Sequence, residues 1–328
     1  MKLIKDRIAL LLILISAICF SACNVAEDDS DCLESMEITF RFMKNGQDRF
    51  GVEVSSIDLF VFDEHGYFVG KWSENDNSKF ATGTYSMVVP LPSGTYNCVA
   101  WGGLKNNHYA LFDQDQSLTN ASNPIVGETN IADMLLEVRD GSKAREVDYT
   151  PTNLFFGDKL NVDLNKRQQG SKTSVVIDLV KNSKQVDLKI TGLPLPTKAN
   201  KFTNIDIWLA SANGGYTFRN EYETPDRTVE YTPVSEDADV NNVYYGTMHT
   251  FRMTFGRPIV LTVRNNEKSE DIVVADILEE YIRKTAQYST QAAVDAEDYF
   301  LIELVLDPYM SVSVKINGWN VNASEEHL

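Results

Sequence analysis

Apolar and polar residues alternate along most of the chain from Met36 onward, the two-residue period of half-buried strands. Ile57, Leu59 and Val61 share one face of a predicted strand, with Ser56 and Asp58 opposite. Asp63-Glu64-His65-Gly66 reads as a hairpin turn leading into Tyr67-Phe68-Val69. Tyr85 to Leu91 is a further strand, ended by the turn-forming run Pro90-Leu91-Pro92-Ser93-Gly94. Thr95 to Trp101 follows and is closed by Gly102-Gly103. The stretch Asp113 to Asn130 is polar and turn-rich. Leu154-Phe155-Phe156-Gly157 is a short apolar run expected to reach a core.

A second series of strands starts after Lys166-Arg167-Gln168-Gln169-Gly170, the expected linker. Val175 to Leu179 and Val186 to Ile190 read as strands, and Gly192-Leu193-Pro194-Leu195-Pro196 breaks the chain. Ile205, Ile207 and Leu209 line one strand, and Ile259, Leu261 and Val263 another. Tyr299 to Leu306 is apolar on both faces, which predicts a central strand. Val312, Val314 and Ile316 alternate with Ser313 and Lys315 in the last strand, which stops at Gly318-Trp319. One helix is expected: Asp276 as cap, Glu279 completing a capping box, and Ile277, Leu278, Tyr281 and Ile282 on one side. Many short strands with Gly and Pro turns indicate β-sandwiches. The expected fold is all-β: one sandwich over residues 33–170, a second with the helix over 171–322, and a polar tail at 323–328.

The amino terminus follows a different pattern. Lys2, Lys5 and Arg7 precede the apolar run Ile8 to Phe20, and Ser21-Ala22 precede Cys23. This is the layout of a bacterial lipoprotein export signal over residues 1–22, with Cys23 as the acylated first mature residue. Phe20 stands where such signals usually carry an aliphatic residue. The alternative is an ordinary signal peptide with a chance cysteine. A membrane-spanning helix needs about 20 apolar residues, so this run is too short to span. The mature chain is expected to hang from a membrane by lipid alone, and stable anchoring takes more than one acyl chain. Residues 23–32 then form an acidic tether of small residues, Asn24-Val25-Ala26-Glu27-Asp28-Asp29-Ser30-Asp31, without large apolar groups.

Charge narrows the partners. Asp and Glu number 47 against 30 Lys and Arg, a formal net charge of −17. This excess argues against nucleic acid and anionic lipid, which need clustered bases. Cys19 leaves with the signal and Cys23 takes lipid, so Cys32 and Cys98 remain. In an oxidising compartment a disulfide between them is allowed, contributing about 4 kcal/mol in the chain-entropy model. Two free thiols are the alternative.

Catalytic constellations are missing. His65, His108, His249 and His327 are scattered and show no metal-type spacing. Acid pairs such as Glu279-Glu280 and Glu297-Asp298 read as solvated faces in so acidic a chain. Glu236-Asp237-Ala238-Asp239 has calcium-type oxygens but lacks the glycine and terminal glutamate of the known loop, and reads as a solvated loop. No phosphate loop or Gly-x-Ser-x-Gly elbow occurs. The reading is a non-enzyme without metal or cofactor. Trp72, Trp101, Trp208 and Trp319 leave a sugar-binding platform as a minor alternative to core packing.

Three segments carry a resemblance. Tyr96-Asn97-Cys98-Val99-Ala100-Trp101-Gly102-Gly103-Leu104, Leu154-Phe155-Phe156-Gly157 and Val312-Ser313-Val314-Lys315-Ile316-Asn317-Gly318-Trp319 resemble the fimbrial anchor-subunit lipoproteins of Bacteroidetes. Val54 to Asp63, the lipid signal and the acidic spacer fit the same pattern. The spacer is either a plain linker or a surface-export address of such lipoproteins, and charge does not separate the two. The resemblance implies two transthyretin-like β-sandwich domains in tandem and an outer-membrane, surface-exposed location. It also implies contacts with fimbrial pilin subunits through β-augmentation, in which one chain adds a strand to another. The tail after Trp319 offers only Val321, Ala323 and Leu328, a poor donor strand, as in a subunit that does not extend a polymer. The expected role is the anchor. A tip or accessory subunit, or a surface glycan-binding lipoprotein, are the alternatives.

Overall fold

The computed structural model describes residues 34–113, 123–164, 172–193, 204–223, 227–238, 243–307 and 312–321. The predicted signal, Cys23, the acidic tether, Cys32, the linker at 166–170 and the tail with His327 lie outside these residues.

The first half contributes β1 (Glu34–Arg41), β2 (Ile57–Asp63), β3 (Phe68–Glu74), β4 (Tyr85–Leu91), β5 (Thr95–Gly102), β6 (Phe155–Asp163) and β7 (Lys172–Asp178). A three-stranded sheet runs β7-β1-β4, and a five-stranded sheet runs from Val180–Lys181 through β6, β5 and β2 to β3. Alternation on β1 turns Met36, Ile38 and Phe40 inward, against Leu59 and Val61 of β2 and Cys98 and Ala100 of β5.

The face of β2 that carries Asp58 is covered as well. Phe60, Phe62, Val99, Trp101 and Phe156 leave the five-stranded sheet on its other side and join the core of the second sandwich. The sequence reading gave this strand one apolar face; the structure buries both, which accounts for the near-continuous apolar run Ile57-Asp58-Leu59-Phe60-Val61-Phe62. Asp58 is buried with partners: Lys71 lies 2.9 Å away and Ser73 Oγ donates to it at 2.5 Å.

The second half contributes β8 (Ser183–Thr191), β9 (Ile205–Ser211), β10 (Val229–Tyr231), β11 (Tyr244–Phe251), β12 (Ile259–Asn265), β13 (Glu270–Asp276), β14 (Tyr299–Leu306) and β15 (Val312–Ile316). One sheet runs Glu146–Val147, β10, β9, β12, β13. The other runs Ser235–Ala238, β11, β8, β14, β15, Trp319–Asn320. β14 is paired on both sides, as its composition implied, although Val305 on its outer face is 46% exposed. The fold is therefore all-β, two sandwiches in tandem. Between them a small sheet places Met134–Val138 beside Tyr109–Asp113 and Gly215–Thr217, so strands from both halves are hydrogen-bonded.

Four further features differ from the sequence reading. β7 follows the linker at 166–170, yet it pairs in parallel with β1 from Ser35 to Arg41 and belongs to the first sandwich. The chain then crosses to the neighbouring sheet, where Val180–Lys181 pairs with Phe155–Phe156, and only β8 opens the second sandwich. The Asp276 helix is a π-helical turn, Ile277–Ile282. Its extra residue per turn moves the box by one position. The Asp276 N–H donates to Glu280 at 3.1 Å, while Glu279 accepts from Gly256 and Arg283. An α-helix capped by Thr290 covers Gln291–Ala296. The loop expected at Glu236-Asp237 is part of an edge strand, Ser235–Ala238.

Candidate subunit-contact edges and the joint between the sandwiches

A sheet edge exposes unpaired backbone groups and invites another strand, so proteins blunt edges with bulges, prolines and charges. Most described edges here carry such a device. β3 has a register break opposite Val61 and Phe62, and Lys71 lies along it. β4 contains Pro90. β13 breaks register opposite Val263 and Arg264 and carries Glu270, Asp271 and Asp276. Ser235–Ala238 carries Glu236 and Asp237. β7 differs. It is an edge with seven consecutive pairs to β1, no register break and no proline. Thr173, Val175 and Ile177 point into the core and Val176 outward, 42% exposed. Its Asp178 end lies against β6, where Gly157 makes room. A Cβ on Gly157 would meet the Asp178 carbonyl at 2.7 Å.

Beside the shared apolar core, the joint between the sandwiches carries a cluster of ion pairs. The hairpin Met43–Asp48 brings Lys44 onto Asp298. Lys181 reaches Glu53 at 3.3 Å and the same Asp298 at 3.4 Å. Arg252 holds Asp295 with two contacts, 3.0 and 3.2 Å. Beneath them Lys184 is wholly buried, donating to the carbonyls of Asp295 at 2.8 Å and Glu297 at 2.5 Å. Lys44, Lys181, Arg252, Asp295 and Asp298, with Phe42, Met43, Leu179 and Val180, line a cleft of about 280 Å³. Arg227 makes a second clasp with Glu137 at 2.9 Å and Asp140 at 2.7 Å, and burial raises the Glu137 pKa against the pull of Arg227. Neither cluster was visible in the sequence, because their members lie far apart in the chain.

The residues singled out for chemistry do not converge. His65 is exposed in its turn beside Glu64. His108 Nδ1 accepts from the Thr152 N–H at 2.9 Å, and burial lowers its pKa. His249 is on β11, its pKa also lowered by burial. Among the described residues no group of three or more His, Cys, Asp or Glu is placed to hold a metal. Cys98 is buried in β5, its Sγ 3.9 Å from Met36 Sδ, and burial pushes its thiol up to about 12. The tryptophans form no common platform. Trp72 and Trp101 pack on opposite faces of one sheet, Trp208 lies half-buried on β9, and Trp319 is exposed at the last edge.

The three family-like segments have a shared physical basis. Gly102 packs its bare Cα against Phe155, and Gly103 at φ +91° leaves no space for a side chain under the Asn153 carbonyl. Asn317-Gly318, at φ +49° and +82°, form the two-residue hairpin turn that joins β15 to Trp319–Asn320. The asparagine-glycine pair was the signal for that hairpin, and the sequence reading passed over it by ending the last strand there.

The model of the fimbrillin-A associated anchor proteins Mfa1 and Mfa2 matches residues 28–325. No curated protein sequence matches the chain. Among solved structures, a Bacteroides thetaiotaomicron protein described as polysaccharide-binding is similar with a TM-score of 0.74 and 20% identity, over 89% of this chain and 100% of its own. An adhesin candidate from Bacteroides ovatus gives 0.70 and 15%, over 90% and 97%. The fimbrial anchor protein Mfa2 of Porphyromonas gingivalis gives 0.69 and 20%, over 88% and 99%. At these identities the likeness is one of fold, and it is the family model, spanning nearly the whole sequence, that decides membership: the chain belongs to the fimbrillin-A associated anchor proteins.

Proposed function

We propose that this chain is a non-catalytic, lipid-tethered fimbrial subunit, the anchor that attaches or terminates a surface fimbrium at the outer membrane. The observation that carries the reading is Cys23, set directly behind an export signal in a chain whose residues 28–325 match an anchor family. Its acyl chains hold the bilayer, and everything after them meets water or other fimbrial subunits. Subunit contact runs through backbone hydrogen bonds along a strand, and the unblocked edge of β7 is the surface suited to it. The Cys32–Cys98 disulfide stays a proposal: Cys98 is buried in β5, and Cys32 lies outside the described residues.

The test is Cys23→Ala with fractionation of cells. The variant, and fimbriae with it, should move from the membrane fraction to the medium or the periplasm. Unchanged fractionation rejects the anchor role. The runner-up roles, tip or accessory subunit and glycan-binding lipoprotein, would leave fimbriae attached in that experiment.

A further inference from the structure

An asparagine followed by glycine can react with its own backbone, because glycine puts no Cβ between the side-chain amide and the next nitrogen. The chain has three such pairs: Asn45-Gly46, Asn213-Gly214 and Asn317-Gly318. Two of them are locked. Asn213 is buried, and its Oδ1 accepts from the Tyr231 hydroxyl at 2.5 Å. Its amide donates to Thr250 at 3.3 Å and to the Arg252 carbonyl at 3.2 Å. The Gly214 N–H is itself engaged, donating to the Arg227 carbonyl at 3.0 Å. Asn317 is half-buried, and its Oδ1 accepts from the Leu301 N–H at 2.6 Å. Its amide donates to the Tyr288 hydroxyl at 2.6 Å and to the Tyr299 carbonyl at 3.0 Å.

Asn45 differs. It is exposed at the tip of the Met43–Asp48 hairpin, and no hydrogen bond to a described residue holds its amide. The space around Gly46 is open, since a Cβ built there would meet nothing within 4 Å. The side chain is therefore free to turn onto the Gly46 nitrogen, and water reaches both. The same turn faces the joint between the sandwiches. Asn45 lines the cleft there beside Lys44, Lys181 and Asp298, and its neighbour Lys44 pairs with Asp298. The pairs Met43 with Asp48 and Lys44 with Gln47 leave a loop of two residues between them.

We propose that Asn45 is a site of spontaneous deamidation, which loosens the joint as the protein ages. Hydroxide takes the proton of the Gly46 N–H, and the nitrogen forms a bond to Asn45 Cγ. The bond from Cγ to the amide nitrogen breaks, and that nitrogen takes a proton from water and leaves as ammonia. Water then opens the succinimide ring at either carbonyl, giving aspartate or isoaspartate. The net change is one water consumed and one ammonia released, so the reaction runs without a catalyst. Either product puts a carboxylate beside Lys44, where it competes with Asp298. Isoaspartate also adds a carbon to the backbone, which the register of a two-residue loop does not accommodate. None of this depends on the anchor role.

The test is incubation of the purified full chain at mildly alkaline pH, followed by peptide mapping with mass spectrometry. The peptide holding Asn45 should gain the mass of an amide-to-acid exchange at least about tenfold faster than those holding Asn213 or Asn317, whose hydrogen bonds must break first. In concentrated urea, where the fold no longer protects any of them, the three should convert at similar rates. Asn45→Gln should abolish the change in the folded chain, because its longer side chain closes a less favourable ring. Converted protein should melt about two degrees below fresh protein, and Lys44→Met should remove most of that difference. Equal conversion of all three pairs in the folded chain, or conversion at position 45 in urea alone, would overturn the proposal. An unchanged melt, or a drop that Lys44→Met leaves intact, would overturn the effect on the joint.

Discussion

Lys184 has no room for water. Its ammonium sits under the joint, bonded to two carbonyls and 4.0 Å from Asp298. Burial pushes its pKa down from 10.5 to about 8, with Asp298 pulling the other way. An unfolded lysine keeps its proton to higher pH. Between pH 8 and 10.5 the unfolded chain therefore holds more protons at this residue, and stability rises with pH across that window. The neutral amine still donates to both carbonyls. Lys184→Met leaves them unpaired and should destabilise by about 2 kcal/mol at pH 7 in urea unfolding. The deficit should widen between pH 8 and 10.5, because the variant lacks the gain. A deficit that shrinks with pH would refute the assignment. Nothing in Asn182-Ser183-Lys184-Gln185 announces this role. A lysine next to a strand reads as solvated, and only the later segment 295–298 folding over it makes the difference. Gly103 was legible only as a residue closing a strand, and Gly157 only as the end of a short apolar run. Their cause is the close passage of Asn153 and Asp178, which local sequence does not encode.

At the level of elements, the two-residue period located β2, β5, β8, β9, β12 and β15, because at least one face of each is buried and the pattern is forced, while β14 was found by apolar residues on both faces. It could not say which sheet a strand joins. β7 alternates as cleanly as its neighbours, and the polar run before it made it look like the start of something new. Pairing with β1 is decided by tertiary packing of Val175 and Ile177 into the first core. The same limit applies to β2, whose second apolar face answers to residues such as Phe218, far away in the chain. The Asp276 turn was found by its cap and its apolar side, while the single-residue expansion that swaps Glu279 for Glu280 leaves no trace in spacing. If the β7 edge is where a partner adds, a lysine on it should interfere. Val176→Lys changes an exposed side chain and should shift stability by less than about 0.5 kcal/mol. It should nonetheless reduce co-purification of the chain with fimbriae severalfold. Full co-purification with the folded variant would rule this edge out.

Across the whole molecule, the halves are not separable. Phe60, Phe62 and Trp101 of the first sandwich share a core with the second. Met134–Val138 is hydrogen-bonded to Gly215–Thr217, and the Lys44, Lys181 and Arg227 ion pairs cross the joint. Heating should therefore give one calorimetric transition with equal calorimetric and van't Hoff enthalpies. A fragment of residues 33–170 should fail to fold, lacking β7 and the cover of its five-stranded sheet. Two resolved transitions, or a soluble cooperative fragment, would contradict this. β1 has a mechanical consequence. A pull arriving from the amino-terminal side reaches the fold through this strand, which is clamped by β7 and β4 at seven positions each. To draw it out along its axis, both ladders must slip together. If the chain is the proposed anchor, the grip of a fimbrium on its cell in flowing liquid would be set by the shear strength of two rows of backbone hydrogen bonds.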